Sequence, residues 1–313
     1  MKARTLLLIF VVPLLFARAV THEAEPSNSV ELGKRLFFDP ILSRNRTISC
    51  GSCHKENLAF ADTLIRSPGV DGRLGTRNTP SAMNMRLQES FFWDGRASSL
   101  EEQVLIPIAN PVEMDLPVDS AIARLNMDTF YRQSFLRIFK EIPSTKTLAK
   151  ALSDFERSLE TSDSPFDDWR VNDNQDAVSA SAKRGFNLFN NKAKCIQCHF
   201  GPDFNNVEFR NIGLFDGKMH LDSGRSAITH SVSDLGKFKI GSLRNIAITA
   251  PYMHNGMFKT LKEVIDYYDN PDKIIPNAKN RDSILTGSLQ LTNAEKQDLE
   301  NFLLSLTDRR FIK

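Results

Sequence analysis

The chain has 313 residues, which is enough for about two domains, and neither glycine nor proline is in excess. With 41% hydrophobic and 25% charged residues, its composition is typical of a soluble globular protein and excludes a disordered or fibrous one. The formal net charge of +2 gives no sign of the basic surface that nucleic-acid binding requires.

Residues 1–19 have the layout of a secretory signal peptide. Lys2 and Arg4 precede an apolar run over residues 6–16, and Ala-Arg-Ala at 17–19 provides a cleavage site. The run is shorter than the roughly 20 residues of a membrane-spanning helix. We therefore expect export, cleavage near residue 19 and no membrane span in the mature chain, with an uncleaved anchor as the alternative. Cleavage removes three of 40 basic residues, leaving 37 against 38 acidic ones.

All four cysteines lie in two Cys-x-x-Cys-His motifs, formed by Cys50, Cys53 and His54 and by Cys195, Cys198 and His199. A zinc site would place the second pair within about 15 to 20 residues of the first, but 141 residues separate the two pairs. Covalent haem attachment requires all five positions, because two thiols bond the haem and the histidine binds its iron. The sequence therefore predicts two c-type haems, with paired disulfides as the alternative. Haem attachment after translocation agrees with the export signal.

Similar segments surround the two motifs. Residues 31–37 and 182–189 each predict a short amphipathic helix with a glycine and a Leu-Phe pair, followed by a loop into the motif. This repeat predicts two cytochrome-c-like units.

The remaining patterns are mostly helical. Apolar residues recur at helical spacing over residues 119–125, 129–139, 147–159 and 292–306. A polar run at 172–176 predicts a linker, so we expect an N-terminal haem domain at 20–170 and a C-terminal one at 171–313. Because β-branched alternation is sparse, the predicted fold class is mostly α.

Two local patterns place a polar side chain on an apolar helix face. Ser99 and Glu102 form a predicted capping box, after which Gln103 shares a face with Leu100, Val104 and Pro107. Thr260 and Glu263 form another, after which Tyr268 shares the inward face with Leu261, Val264 and Ile265, whereas Tyr267 lies off it.

Several segments together resemble the bacterial dihaem cytochrome c peroxidase family, which includes MauG-type enzymes. They are residues 36–39, 49–54, 77–81, 92–96, 107–114, 195–199 and 250–256. The resemblance covers about residues 30–311. It implies that the N-terminal haem reacts with peroxide and that the C-terminal haem receives electrons.

The resemblance also implies roles for individual residues. Glu113 matches the carboxylate that moves a proton during O–O cleavage, and Gln103 matches its accompanying glutamine. Trp93 matches an electron relay between the haems. Without the resemblance, Gln103 and Glu113 could equally satisfy backbone groups, and Trp93 would be an ordinary core residue.

The chain departs from the usual peroxidases at the first haem. Those enzymes rest with a distal histidine on the peroxidatic iron, but no histidine lies between His54 and His199 here. Residues 66–77 carry three glycines instead. We expect a five-coordinate, high-spin iron that needs no reductive activation. A methionine as sixth ligand is the alternative, with the candidates Met83, Met85 and Met114.

A second departure concerns the other haem. The position fourteen residues after His254 is methionine in the peroxidases and tyrosine in MauG-type proteins, and here it is Tyr268. A tyrosinate ligand would lower the haem potential. The alternative is that Tyr268 is a packed aromatic and that Met253 or Met257 binds the iron.

The family also holds a calcium ion between the haems, through an asparagine side chain and two backbone carbonyls. Asn78, Thr249 and Pro251 match these ligands, and hard oxygen ligands suit calcium. Taken alone, Asn78 would be an ordinary turn residue.

These inferences predict a periplasmic dihaem peroxidase that reduces hydrogen peroxide with electrons from a small c-type cytochrome or cupredoxin. One alternative is a MauG-like enzyme that oxidises residues of a partner protein. Another is an electron carrier without catalysis, with two six-coordinate low-spin haems. Homodimers are common in the family, although nothing in this sequence demonstrates one.

Overall fold

The computed structural model describes residues 25–312, and the expected signal peptide lies outside the described residues. This part of the chain is mostly helical, as predicted, with two short antiparallel strands, β1 (Phe209–Arg210) and β2 (Phe238–Lys239). No helix in it is both long and apolar enough to cross a bilayer. The helices are α1 (Ser29–Phe38), α2 (Cys50–Cys53), α3 (Leu100–Gln103), α4 (Ile106–Ala109), α5 (Val118–Met127), α6 (Thr129–Phe139), α7 (Thr145–Ser158), α8 (Pro165–Arg170), α9 (Ala180–Asn190), α10 (Ser226–Thr229), α11 (Leu261–Asp269), α12 (Pro271–Ile274) and α13 (Asn293–Leu304).

The longer helices form close to their predicted bounds. Helices α5, α6 and α7 occupy the three helical patterns between the cysteine motifs, and residues 172–176 form turns and irregular structure. Helix α13 begins after Thr292, whose hydroxyl accepts a hydrogen bond of 3.2 Å from the amide of Glu295. Local capping and apolar spacing were therefore sufficient to predict these elements.

Each half of the chain is built on two helices that touch at a glycine. Gly33 of α1 lies against the Ala151 carbonyl of α7, and a Cβ atom at Gly33 would overlap that oxygen. Gly185 of α9 lies against the Asp298 carbonyl of α13 in the same way. The absence of a side chain therefore lets the two backbones of each pair approach closely.

Three phenylalanine rings pack against each helix pair with nearly the same geometry. In the first half the ring centroids lie 5.1 to 6.1 Å apart, and in the second half 5.0 to 5.9 Å apart. All six contacts are edge-to-face, an arrangement that the ring quadrupole favours. The rings are Phe37, Phe60 and Phe155 in the first half and Phe189, Phe204 and Phe302 in the second.

A second repeated stretch follows each motif. Residues 78–107 correspond to residues 239–268 with a constant shift of 161 positions, for example from Phe91 to Tyr252. The isolated β-bridge from Phe91 to Ala97 recurs between Tyr252 and Phe258. Matching left-handed backbone conformations occur at Phe92 and Met253, at Gly95 and Gly256, and at Asn84 and Asn245. The repeat thus extends well beyond the cysteine motifs.

Buried polar contacts join segments that are distant in the chain. The guanidinium of Arg244, 8% exposed, donates to both carboxylate oxygens of Asp167 at 2.8 Å. The Thr161 hydroxyl donates to the side chain of Asn84 at 2.7 Å and accepts from the side chain of Asn245 at 3.0 Å. Since buried polar groups are costly unless paired, this network fixes the two repeated stretches relative to each other.

Candidate haem-binding sites

The first Cys-x-x-Cys-His motif forms one helical turn, α2, which presents its histidine in a defined orientation. The Ser49 amide donates to the Ser52 hydroxyl at 3.0 Å, and the His54 amide donates to the Cys50 carbonyl at 2.9 Å. The His54 ring Nδ1 lies 2.8 Å from the Phe60 carbonyl oxygen. Because a carbonyl only accepts, Nδ1 carries the proton and Nε2 keeps the lone pair that a metal needs. Burial lowers the pKa of His54, which keeps the ring neutral.

The second motif presents its histidine in the same way. The His199 amide donates to the Cys195 carbonyl at 2.9 Å, and its ring Nδ1 lies 2.9 Å from the Phe204 carbonyl oxygen. Burial lowers the pKa of His199 and raises the pKa of the Cys195 thiol to about 12. Both motifs therefore combine two thiols with one neutral, oriented imidazole, the donor set that covalent haem attachment uses.

Glu113 lies close to the first motif. The Asn110 side-chain amide donates to its Oε1 at 2.7 Å, and burial raises the pKa of Glu113. Burial also raises the pKa of the Cys50 and Cys53 thiols, and the neighbouring Glu113 carboxylate adds to both increases. The structure thus brings together the first motif and the carboxylate that the sequence singled out.

Gln103, at the end of α3, has an unsatisfied polar atom in its side chain. Its side-chain oxygen is buried and has no hydrogen-bond partner among residues 25–312. Such an atom costs free energy, so it indicates a partner that the described polypeptide does not supply.

The Ser99 hydroxyl accepts from the Glu102 amide, as predicted, but the Glu102 carboxylate accepts from the Ser98 amide and hydroxyl. Only one half of the predicted capping box is therefore formed.

The segment at residues 66–77 packs its backbone against the carboxylate residue. The Val70 amide donates to the Glu113 carbonyl at 2.7 Å, and a Cβ atom at Gly69 would overlap the same stretch of backbone. The Asp71 side chain is paired with Arg44. Gly69 thus permits a close approach that a larger residue would prevent.

The methionines proposed as alternative ligands of the first iron differ in burial. Met83 and Met114 are each 3% exposed and belong to the first hydrophobic core, whereas Met85 is half-buried beside a smaller cluster. The packing of Met83 and Met114 favours a role in the core for both.

The tyrosine pair of α11 differs from the prediction in one respect. The prediction that Tyr267 lies off the inward face is wrong, because Tyr267 is fully buried and its hydroxyl donates to the Ile212 carbonyl at 2.6 Å. Burial raises the pKa of Tyr268, and the nearby Cys198 and Cys195 thiols add to the increase. Tyr267 is therefore engaged elsewhere, and Tyr268 is the tyrosine near the second motif. The capping box of Thr260 and Glu263 forms as predicted.

The repeat shows how the two motifs' surroundings differ. With the shift of 161 positions, Gln103 corresponds to Val264 and Pro107 corresponds to Tyr268. A proline side chain has no atom that could bind iron, whereas a tyrosine hydroxyl does. The first site therefore pairs Pro107, which has no atom able to bind iron, with the unsatisfied oxygen of Gln103, and the second pairs Tyr268, whose hydroxyl could bind iron, with the apolar Val264.

Trp93 and His254 are also counterparts in the repeat, and the structure places them together. Their rings lie 6.5 Å apart, edge to face, and the Trp93 indole N–H donates to the Asn78 carbonyl at 2.8 Å. His254 is 3% exposed and stacks on Phe238 at 3.7 Å, and burial lowers its pKa to about 4. Sequence reasoning gave His254 no role, although the 161-residue shift was a signal that could have identified this pair.

The three candidate calcium ligands lie in this same region. Asn78 is 5% exposed, its amide donates to the His254 carbonyl at 2.7 Å, and its side-chain nitrogen donates to the Leu64 carbonyl at 3.0 Å. This orientation leaves the Asn78 side-chain oxygen, a hard ligand, available for a cation. Pro251 follows Ala250 through a cis peptide bond, and Thr249 directly precedes Ala250. No cluster of three or more His, Cys, Asp or Glu side chains that could hold a metal occurs within residues 25–312.

Comparison with known proteins agrees with this geometry. A family model described as di-haem cytochrome c peroxidase matches residues 27–176. The methylamine utilization protein MauG of Methylorubrum extorquens is 37% identical over 279 residues, covering 88% of this chain and 77% of the relative. The cytochrome c551 peroxidase of Nitrosomonas europaea is 35% identical, covering 81% of this chain and 76% of the relative.

A solved structure extends the similarity to the fold. It is that of a MauG-like protein associated with microbial copper homeostasis, which superposes with a TM-score of 0.81 at 34% identity. The match covers 93% of this chain and 92% of the other. The likeness therefore includes both cysteine motifs and the stretch between them.

Proposed function

Because the chain belongs to the di-haem cytochrome c peroxidase family, we propose that it is an exported enzyme that reduces hydrogen peroxide to water with electrons from a small redox protein. The enzyme is an oxidoreductase of the cytochrome-c peroxidase type. It carries two c-type haems, one in an N-terminal domain at residues 20–170 and one in a C-terminal domain at 171–313, after removal of residues 1–19. The periplasm is its location.

The observation that best supports this proposal is that the two repeat-related sites have different residues at corresponding positions. Pro107 offers no ligand at the first site, where Gln103 and Glu113 supply polar atoms. Tyr268 and Val264 occupy the corresponding positions at the second. A pure electron carrier gains nothing from an open, polar site on one haem, whereas a peroxidase needs one.

The residues of the first site then divide the chemistry between them. When bound, the haems supply the redox-active iron at which peroxide is reduced. Glu113 takes a proton from one peroxide oxygen and returns it to the other, and Asn110 holds the Glu113 carboxylate in place. Gln103 uses its unpartnered oxygen to accept a hydrogen bond from the peroxide O–H group. Trp93 relays electrons between the two haems.

Replacing Tyr268 with Met should raise the reduction potential of the second haem by on the order of 100 mV or more, since axial ligands set haem potentials over roughly 0.8 V. A spectroelectrochemical titration of the holoprotein measures the shift. Tyr267→Phe is the matched control, because it removes the hydroxyl that bonds the Ile212 carbonyl and should leave the potential unchanged. An unchanged potential in Tyr268→Met would mean that Tyr268 does not bind the iron and would leave Met253 or Met257 as ligand.

A second candidate function is oxidation of residues in a partner protein, as the MauG-like relatives suggest. The absence of a histidine between His54 and His199, together with Tyr268, favours it. The sequence before the second motif opposes it, because the resemblance implies a surface tryptophan there in a MauG-type enzyme and this chain has Ala193 and Lys194.

Two measurements on the haem-loaded protein test the proposal. A peroxidase consumes hydrogen peroxide while oxidising a reduced c-type cytochrome or cupredoxin, and its ferric electron paramagnetic resonance spectrum contains a high-spin component. Modification of a partner protein without oxidation of the small donor would support the MauG-like function instead. Two low-spin haems that do not respond to peroxide would leave only an electron carrier.

A further inference from the structure

The two repeated stretches bind each other through reciprocal backbone hydrogen bonds. The Asn78 amide donates to the His254 carbonyl at 2.7 Å, and the Lys239 amide donates to the Trp93 carbonyl at 2.8 Å. Lys239 is the counterpart of Asn78 under the 161-residue shift, and His254 is the counterpart of Trp93. The same 161-residue shift therefore relates the two hydrogen bonds to each other. The junction between the repeated stretches thus has two equivalent halves, one with Asn78 and His254 and the other with Lys239 and Trp93.

Lys239 places a positive charge in one of these halves. Its ammonium Nζ donates to the Ser90 carbonyl at 3.0 Å and to the Gln88 side-chain oxygen at 3.3 Å, and it lies 5.7 Å from the centre of the Phe91 ring. Among residues 25–312, no carboxylate forms an ion pair with it. Burial lowers the pKa of Lys239 to about 8. The cation is thus held by uncharged oxygens alone.

The oxygens around Lys239 have counterparts in the other half of the junction. The same shift relates Ser90 to Pro251 and Gln88 to Thr249, and it relates Lys239 itself to Asn78. Asn78, Thr249 and Pro251 are the candidate calcium ligands. The residues that hold the lysine ammonium in one half are therefore the counterparts of those that would hold a calcium ion in the other.

We propose that the Lys239 ammonium fills a cation site that is the repeat counterpart of the calcium site implied by the family at Asn78, Thr249 and Pro251. The proposal rests on the calcium site implied by the family and adds a role for Lys239. Its ammonium group takes the place of the metal ion and is covalently attached to the chain. The proposal does not depend on peroxide turnover.

The physical basis is the field of converging carbonyl oxygens, which at Lys239 are the Ser90 backbone carbonyl and the Gln88 side-chain amide oxygen. Carbonyl oxygens that converge on one point need a positive charge between them, whether a metal ion or an ammonium group supplies it. A tethered ammonium cannot dissociate, so the half that contains Lys239 and the Trp93 backbone carbonyl stays ordered at any calcium concentration. The half that contains Asn78 and residues 249–251 loosens when calcium is removed.

Exchanging the two residues tests the proposal directly. Lys239→Asn gives the second half three uncharged oxygen donors, as many as in the first, so the haem-loaded variant should bind two calcium ions per chain where the wild type binds one. Asn78→Lys places an ammonium in the first half, so this variant should bind none. Equilibrium dialysis with Ca²⁺ alone, after treatment with a chelator, measures the stoichiometry.

The exposed Lys218 provides a matched control, since Lys218→Asn makes the same substitution away from the junction and should still bind one ion. Circular dichroism and the Soret band show whether each variant is folded. A folded Lys239→Asn variant that binds one ion, or an Asn78→Lys variant that still binds one, would overturn the proposal. Absence of calcium from the wild type would overturn it as well. If Lys239→Asn does not fold, Asn78→Lys decides the question.

Discussion

Replacing His54 with Gly should abolish peroxide turnover in the haem-loaded protein. In the proposed mechanism the imidazole Nε2 of His54 is the proximal donor of the site that contains Glu113, and glycine offers no atom in its place. The surrounding fold supports this assignment, because the Phe60 carbonyl holds Nδ1 at 2.8 Å and thereby fixes the orientation of the ring. The measurement is the initial rate of donor oxidation at saturating peroxide, with haem content determined on the same sample.

His230 offers a matched control for this substitution. It is exposed, and its φ of 57° is a conformation that glycine adopts readily, so His230→Gly should retain full activity. Turnover by His54→Gly at more than a small fraction of the wild-type rate would place the reactive haem at the second motif. Attachment of both haems, judged by mass and by the Soret band, separates loss of the ligand from loss of the cofactor.

Replacing Glu113 with Gln should lower peroxide turnover by a factor on the order of 100 to 10,000, which is the usual contribution of general acid–base catalysis. The substitution keeps the Oε1 oxygen that accepts from Asn110 and removes only the ability to take up a proton. Steady-state kinetics with excess donor measure the loss. Glu56→Gln, at an exposed position in the same half of the chain, should be without effect.

The pH dependence gives an independent check on Glu113. Burial raises its pKa, and the carboxylate must be ionised to accept the proton from peroxide. Turnover by the wild type should therefore fall as the pH decreases through this raised pKa, while the residual activity of Glu113→Gln should lack that limb. An identical acid limb in both proteins would assign the titration to another group.

The sequence by itself determined the features that depend on short stretches of chain. The spacing within Cys50–Cys53 and the histidine after each pair predict haem attachment, because the five positions occupy one turn whatever the rest of the fold does. The helix starts at Thr260 and Thr292 were predictable for the same reason, since a cap joins residues three positions apart. The family followed from several such segments together.

The tertiary structure decided what depends on contacts between distant residues. Helical periodicity placed Tyr267 off the inward face, but its hydroxyl bonds to Ile212, which lies 55 positions away and belongs to no local pattern. The pairing of Asn78 with His254 and of Lys239 with Trp93 likewise joins segments well over 100 residues apart. Buried polar groups must find partners wherever the fold brings them, so only the assembled chain shows which oxygens surround the Lys239 ammonium.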